Sequence, residues 1–112
     1  MSWLNEATEL KTAEEKQFEY EKSVQHRLTS AVQRHMDAVV GERNYDSIIS
    51  CCTYATSLNP KFSAEGQAAV EWRDDVWVVC YDILDEVKTG QRPIPTEDEL
   101  IALLPVLEWP AT

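Results

Sequence analysis

The stretch AEGQAAVEWRDDVWVVCYDILDEVKTG, Ala64–Gly90, decides how the chain is read. Within it Trp72, Val76, Trp77, Val79, Cys80, Ile83, Leu84 and Val87 recur at helical spacing, five acids lie from Asp74 to Glu86, and no base falls between Arg73 and Lys88. The pattern predicts a long helix built to pack on protein. Its acidic side repels phosphate backbones, and it carries no clear nucleophile, phosphate cradle or redox pair, so it points to binding or assembly before catalysis. The small residues Ala64, Gly66, Ala68 and Ala69 predict close approach of another backbone ahead of Trp72 and Trp77, which makes Gly66 a packing position. Ser63 is the expected cap of this helix, Thr89 its expected end and Gly90 its stop.

Before this stretch, Ala13 to Val40 contains neither Pro nor Gly, and Phe18, Val24, Leu28, Ala31, Val32, His35, Met36 and Val39 form a discontinuous apolar stripe. The stripe is weak before Val24, so only the second half of this helix is expected to enter the core, with Gly41 as its stop. Residues 13–40 are also a candidate oligomerisation helix. Residues 1–12 read as a flexible or partner-ordered leader, with Trp3 and Leu4 as an anchor and Thr8 or Thr12 as the cap of the helix that follows. A second, short helix beginning at Asn44 or Asp46 is expected to carry Ile48, Ile49, Cys52, Tyr54 and Ala55 and to end at Leu58, Asn59 and Pro60. Beyond Gly90, Arg92, Pro93, Ile94 and Pro95 make a stiff connector. Thr96 and Glu99 form a capping-box pair that predicts a last helix from Glu97 to Leu104, closed by Pro105. The tail from Val106 to Pro110 is apolar enough either to lie across the bundle or to enter a partner groove. The expected fold is all-α: a compact helical bundle of three main helices plus a short C-terminal helix, forming one domain over residues 13–110.

The 112 residues carry a formal net charge of −10, spread unevenly. Residues 1 to 40 hold seven acids against five bases, and residues 41 to 112 hold thirteen against five. That field disfavours nucleic acid and anionic membranes, and no apolar run approaches the roughly 20 residues needed to span a bilayer. With no signal-like progression at its start, the chain is expected to be made as a soluble intracellular protein. Three cysteines include the adjacent Cys51 and Cys52, poor geometry for a mutual disulfide, so reduced buried thiols are expected.

No enzyme chemistry is expected. His26 and His35 stand nine residues apart, roughly two and a half helical turns, and do not face one ion. Cys51, Cys52 and Cys80 lack regular metal-binding spacing, and no calcium loop, nucleotide loop or serine elbow is present, so no metal or cofactor is expected. Asp75 with Asp82, and Asp82 with Glu86, share helical sides, but a solvated face gives their carboxyls no reason to shift. Trp72, Trp77, Trp109, Tyr54 and Tyr81 combine apolar area with polar edges and are candidates for core or interface. Arg73, the only base in its neighbourhood, suits pairing with a nearby acid or capping a partner carboxylate, and cannot by itself make a nucleic-acid groove.

The run Val32, Gln33, Arg34, His35, Met36, Asp37, then Asn44, Tyr45, Asp46, Ser47, Ile48, then Ala64 to Gln67 and Glu71, Trp72, Arg73 resembles small proteins of tailed bacteriophages and prophages. The likeness continues through Trp77, Tyr81, Gly90, Pro95, Thr96 and Leu100 to Trp109 and Pro110, covering about residues 31 to 110. The resemblance implies a product of the tail or tail-fibre region, a tail component or assembly helper, and it brings no catalytic or ligand motif with it. The first thirty residues lie outside it. The function expected is stoichiometric packing on a tail-fibre, tail or baseplate protein or on another copy, with Trp3, Leu4, Phe18, Trp72, Arg73, Trp77 and Trp109 as interface candidates. The host cytoplasm during synthesis, and then the virion tail, are the expected locations. The competing expectation is a small acidic phage protein that inhibits a host nucleic-acid-handling enzyme.

Overall fold

A computed structural model describes residues 12–111 of the chain. In order they form α1 (Ala13–Gly41), α2 (Ile48–Thr53), a 3-10 turn (Tyr54–Thr56), α3 (Pro60–Lys88) and α4 (Glu97–Leu103), after which the chain runs extended. The fold is the expected all-α bundle of four helices, with no strand among the described residues. The second helix is shorter than its expected span: six residues, finished by the 3-10 turn.

α1 starts where the Thr12 hydroxyl accepts from the Glu15 amide at 3.0 Å, with Glu14 and Glu15 set against the positive end of the helix dipole. Gly41 is its last residue, but the reversal is carried by Asn44, whose φ of 69° is left-handed. Asparagine tolerates that region better than most residues. Ser47 then caps α2 by accepting from the Ser50 amide at 3.0 Å, one to three residues later than expected. Asp37 of α1 takes a second free amide of α2, that of Ile48, at 2.9 Å, so the short helix is tied to the long one through its own end.

The start of α3 corrects the expectation placed on Ser63. Asn59 is the cap, accepting from the Lys61 and Phe62 amides at 3.0 and 3.2 Å, and Pro60 opens the helix as its first residue. Proline fits there because its missing N–H would have had no helical partner. Ser63, one turn inside, donates its hydroxyl to the Ala55 carbonyl at 3.1 Å. At the far end Gly90, φ +77°, makes the expected stop, with the Gln91 amide donating to the Glu86 carbonyl at 2.8 Å. Thr96 caps α4 by accepting from the Glu99 amide at 3.1 Å, as its spacing predicts.

α1 and α3 are the two long helices, joined through one shared core, and the shorter elements pack on one or both. α2 and the 3-10 turn pack on one flank of α3, over Ser63 and Gly66; the tail crosses the other flank, beside Ala68, Trp72 and Asp75, and α4 packs on α1. Arg27 and Arg34 of α1 reach Glu97 of α4 at 3.7 and 4.0 Å. One core cluster joins Val32, Met36 and Val40 of α1, Ile48 and Cys51 of α2, Ala69, Trp72, Val76 and Ile83 of α3, Leu100 of α4, and Leu104 and Leu107 beyond it. Each large apolar side chain buried there contributes about 1.5–3 kcal/mol. Gly66 is the closest approach: a Cβ added to it would stand 2.8 Å from Ala55 Cα and nearer still to the Ala55 amide nitrogen.

The first buried side chain of α1 is Val24; from Thr12 to Ser23 every residue is exposed, including Phe18 at 65% and Tyr20 at 57%. The polar centre of this stretch, Glu14, Gln17 and Glu21, explains why packing begins only at Val24. The expected leader, residues 1–12, with its anchor Trp3 and Leu4, lies outside the described residues except for Thr12.

Candidate functional site

The densest polar arrangement among the described residues gathers at the end of the bundle where α1, α2 and α3 meet. Glu65 is its centre. It is 4% exposed on the core side of α3, four residues before the buried Ala69 and seven before Trp72. Arg43, in the loop after α1, donates from Nη1 to Glu65 Oε2 at 2.8 Å, and the Tyr45 hydroxyl donates to Glu65 Oε1 at 3.0 Å. Burying a carboxylate costs several kcal/mol unless its oxygens are paired, and here each oxygen takes a hydrogen bond, one of them from a cation.

The same two residues hold the tail. Arg43 lies over the Trp109 ring, 4.9 Å from its centroid, and the Tyr45 ring stacks on Trp109 at 6.3 Å with 15° between planes. Tyr45 also meets Tyr54 at 5.4 Å, and Tyr54 meets Phe62 at 5.7 Å. The tail is further pinned where Trp72 Nε1 donates to the Pro105 carbonyl at 2.8 Å. Of the two placements open to the tail, the chain adopts the one across its own bundle.

Burial, the hydrogen bond given to Glu65 and the negative charge beside it push the Tyr45 hydroxyl up to about 12. Burial, with Cys52 and Glu65 adding to it, pushes the Cys51 thiol up to about 11. Cys52 and Cys80 are raised as well, chiefly by burial, so all three free thiols are held in their less reactive, protonated form. Tyr45 and Cys51 keep their protons in the folded chain at pH values where the unfolded chain, with ordinary values of 10.0 and 9.0, has begun to release them. Stability from these two groups is therefore complete below about pH 9 and is lost as pH rises towards about 12. The urea midpoint is expected to fall between pH 8 and pH 11, and Tyr45→Phe to remove the part of the fall that lies above pH 10; a flat profile for the wild type would contradict the environment described.

Chemically this arrangement is a clamp. Both oxygens of Glu65 are engaged by residues of the same chain, and the neighbouring Cys51 thiol is held protonated. Two open surface depressions lie among the described residues, one beside Arg92, Pro93, Pro95 and Leu103 and another between α3 and the tail beside Glu71, Asp75 and Glu108. No group of three or more His, Cys, Asp and Glu side chains is placed to hold a metal ion among the described residues. No helix among them is long and apolar enough to cross a membrane.

The interface candidates are dispersed. Trp72 is 4% exposed, with His35 edge-on at 6.2 Å and its indole N–H committed to Pro105, so it is core, a correction to its place among the docking residues. Trp109 is engaged by Arg43 and Tyr45. Trp77 is half-buried against the core on the α2 flank of α3, and Arg73, one turn before it, reaches Asp74 at 3.7 Å. Phe18 is isolated on the bare half of α1. The sequence reading missed Arg43, Tyr45 and Glu65 as a unit, although a signal was available: Glu65 is the one charge on the buried stripe of α3, and a charge there requires a partner.

No family model, curated protein or solved structure matches this chain.

Proposed function

We propose that the protein is a tail-associated structural or assembly protein of a tailed bacteriophage, acting stoichiometrically by packing on a tail, tail-fibre or baseplate protein. The observation that carries the packing part of this reading is the bare first half of α1, three turns of formed helix presenting Phe18 and Tyr20 to water. Exposed aromatic side chains on an ordered element suit a protein partner, since they bring large contact area with little rotamer freedom to lose. The Glu65 clamp serves the fold itself, which leaves docking as the work of the surface. The tail assignment rests on the resemblance carried by residues 31 to 110.

Co-expression with each tail-region product followed by size-exclusion chromatography is expected to give one co-eluting complex. Phe18→Glu combined with Tyr20→Glu should weaken that complex at least about tenfold while leaving the thermal melt unchanged, because neither side chain packs in the bundle. If no tail-region product forms a complex, the reading fails. Peptide-mass detection in purified virions separates a component of the particle from a helper released after assembly. One observation favours the second reading, inhibition of a host nucleic-acid-handling enzyme: the exposed Glu71, Asp75 and Asp82 share one side of α3, a row of like charge suited to a basic channel. Charge reversal along that row would abolish such inhibition and spare a tail complex.

A further inference from the structure

The α2 flank of α3 is only partly covered. α2 is six residues long, about 9 Å, whereas α3 runs 29 residues, about 43 Å, so α2 and the 3-10 turn cover the half around Ser63 and Gly66 and stop there. Past that point the flank carries Trp77 and Leu84, both half-buried, and Tyr81, which is 70% exposed. Two heptad-spaced rows run along it: Val70, Trp77, Leu84 and, beside them, Asp74, Tyr81, Lys88. In the second row opposite charges stand seven residues to either side of an exposed aromatic.

That charge order is self-complementary in one direction only. We propose that this flank of α3 binds the same flank of a second copy of the chain, the two helices antiparallel, with Tyr81 at the two-fold axis. Antiparallel pairing about Tyr81 sets Asp74 of one copy against Lys88 of the other at both ends of the contact, brings Tyr81 onto its own equivalent, and covers Trp77 and Leu84. A parallel pair would put Asp74 on Asp74 and Lys88 on Lys88 and would align the helix dipoles unfavourably. Lys88 makes no ion pair within the chain among the described residues, and the Asp74 carboxylate is 67% exposed beside Arg73, so both ends remain open to a neighbour. The contact uses residues other than Phe18 and Tyr20 and does not depend on the phage reading.

Sedimentation equilibrium on the purified full chain tests it. A monomer–dimer equilibrium is expected, weakened at least about tenfold by Asp74→Lys, which opposes two lysines at each end, and restored by Asp74→Lys with Lys88→Asp. In a Cys80→Ser background, Tyr81→Cys treated with oxidised glutathione should give a disulfide-linked dimer, because a residue on the axis meets itself; Phe18→Cys should not. All the substituted side chains except Cys80 are exposed, and circular dichroism melts confirm that each variant folds. A chain that stays monomeric up to millimolar concentration overturns the proposal. So does a dimer indifferent to Asp74→Lys, and so does one that the double swap fails to restore. Failure to find a tail partner bears on none of these readouts.

Discussion

Replacing Gly66 by valine is expected to lower the stability of the chain by about 3 kcal/mol, a large part of the 5–15 kcal/mol typical of a small domain. The reason is the identity of the obstructing atoms. A Cβ at Gly66 meets the backbone of Tyr54 and Ala55, which unlike a flexible side chain has no rotamer to retreat into. The 3-10 turn would have to lift from α3, taking with it the Ser63 and Gln67 hydrogen bonds to the Ala55 carbonyl, at 3.1 and 3.3 Å. Gly41→Ala supplies the contrast. Nothing lies within 4 Å of its added Cβ and its φ is not left-handed, so the same loss of glycine there should stabilise by about 0.5–1 kcal/mol through the unfolded chain. Urea titration of both variants checks the pair. Equal, small effects would mean that the turn does not rest on Gly66.

The second large effect is expected at Arg43. Arg43→Ala removes the cation from a buried carboxylate and the cover from one face of Trp109 together. Breaking a fully buried pair costs about 3–5 kcal/mol, but the Arg43 side chain is 40% exposed and water can reach the place it vacates, so a loss of about 2 kcal/mol is expected. A double-mutant cycle with Glu65→Gln should return a coupling of about 1 kcal/mol or more, since the second substitution removes the stranded charge. The tail should loosen in the same variant, read as faster limited proteolysis beyond Pro105. A tail equally resistant with and without Arg43 would show that Trp72 and Leu107 hold it unaided.

How much of this was legible depended on whether a feature was local. Ala64–Gly90 announced α3 because periodicity over several turns is written in adjacent residues, and Thr96 with Glu99 announced α4 for the same reason. The start of α3 was misplaced because Leu58, Asn59 and Pro60 read as the end of one helix when Asn59 and Pro60 also open the next. Proline breaks a helix from inside and begins one at its first residue, and only the intervening 3-10 turn decides between the two. Glu65, Arg43 and Tyr45 escaped because about twenty residues separate the acid from its partners, and nothing in the loop after α1 says where it will fold back. Trp72 and Trp77, five residues apart on one helix, looked alike in sequence; the crossing of the tail over one flank and the shortness of α2 on the other made the first core and left the second half-covered.

The bare half of α1 has a thermodynamic corollary. A short segment that becomes helical only on binding loses about 1–2 kcal/mol of backbone entropy for every residue it orders, as well as the cost of nucleating the first turn. Here nucleation is already complete, because residues 24–40 hold the helix in the core and the turns before Val24 continue it. A protein that lands on Phe18 or on Tyr20, which project from opposite sides of the rod, meets backbone in its final conformation and immobilises only side chains, at about 0.5–1.5 kcal/mol each. Association there is rigid-body docking onto a preformed rod, so even a contact only a few turns long can hold.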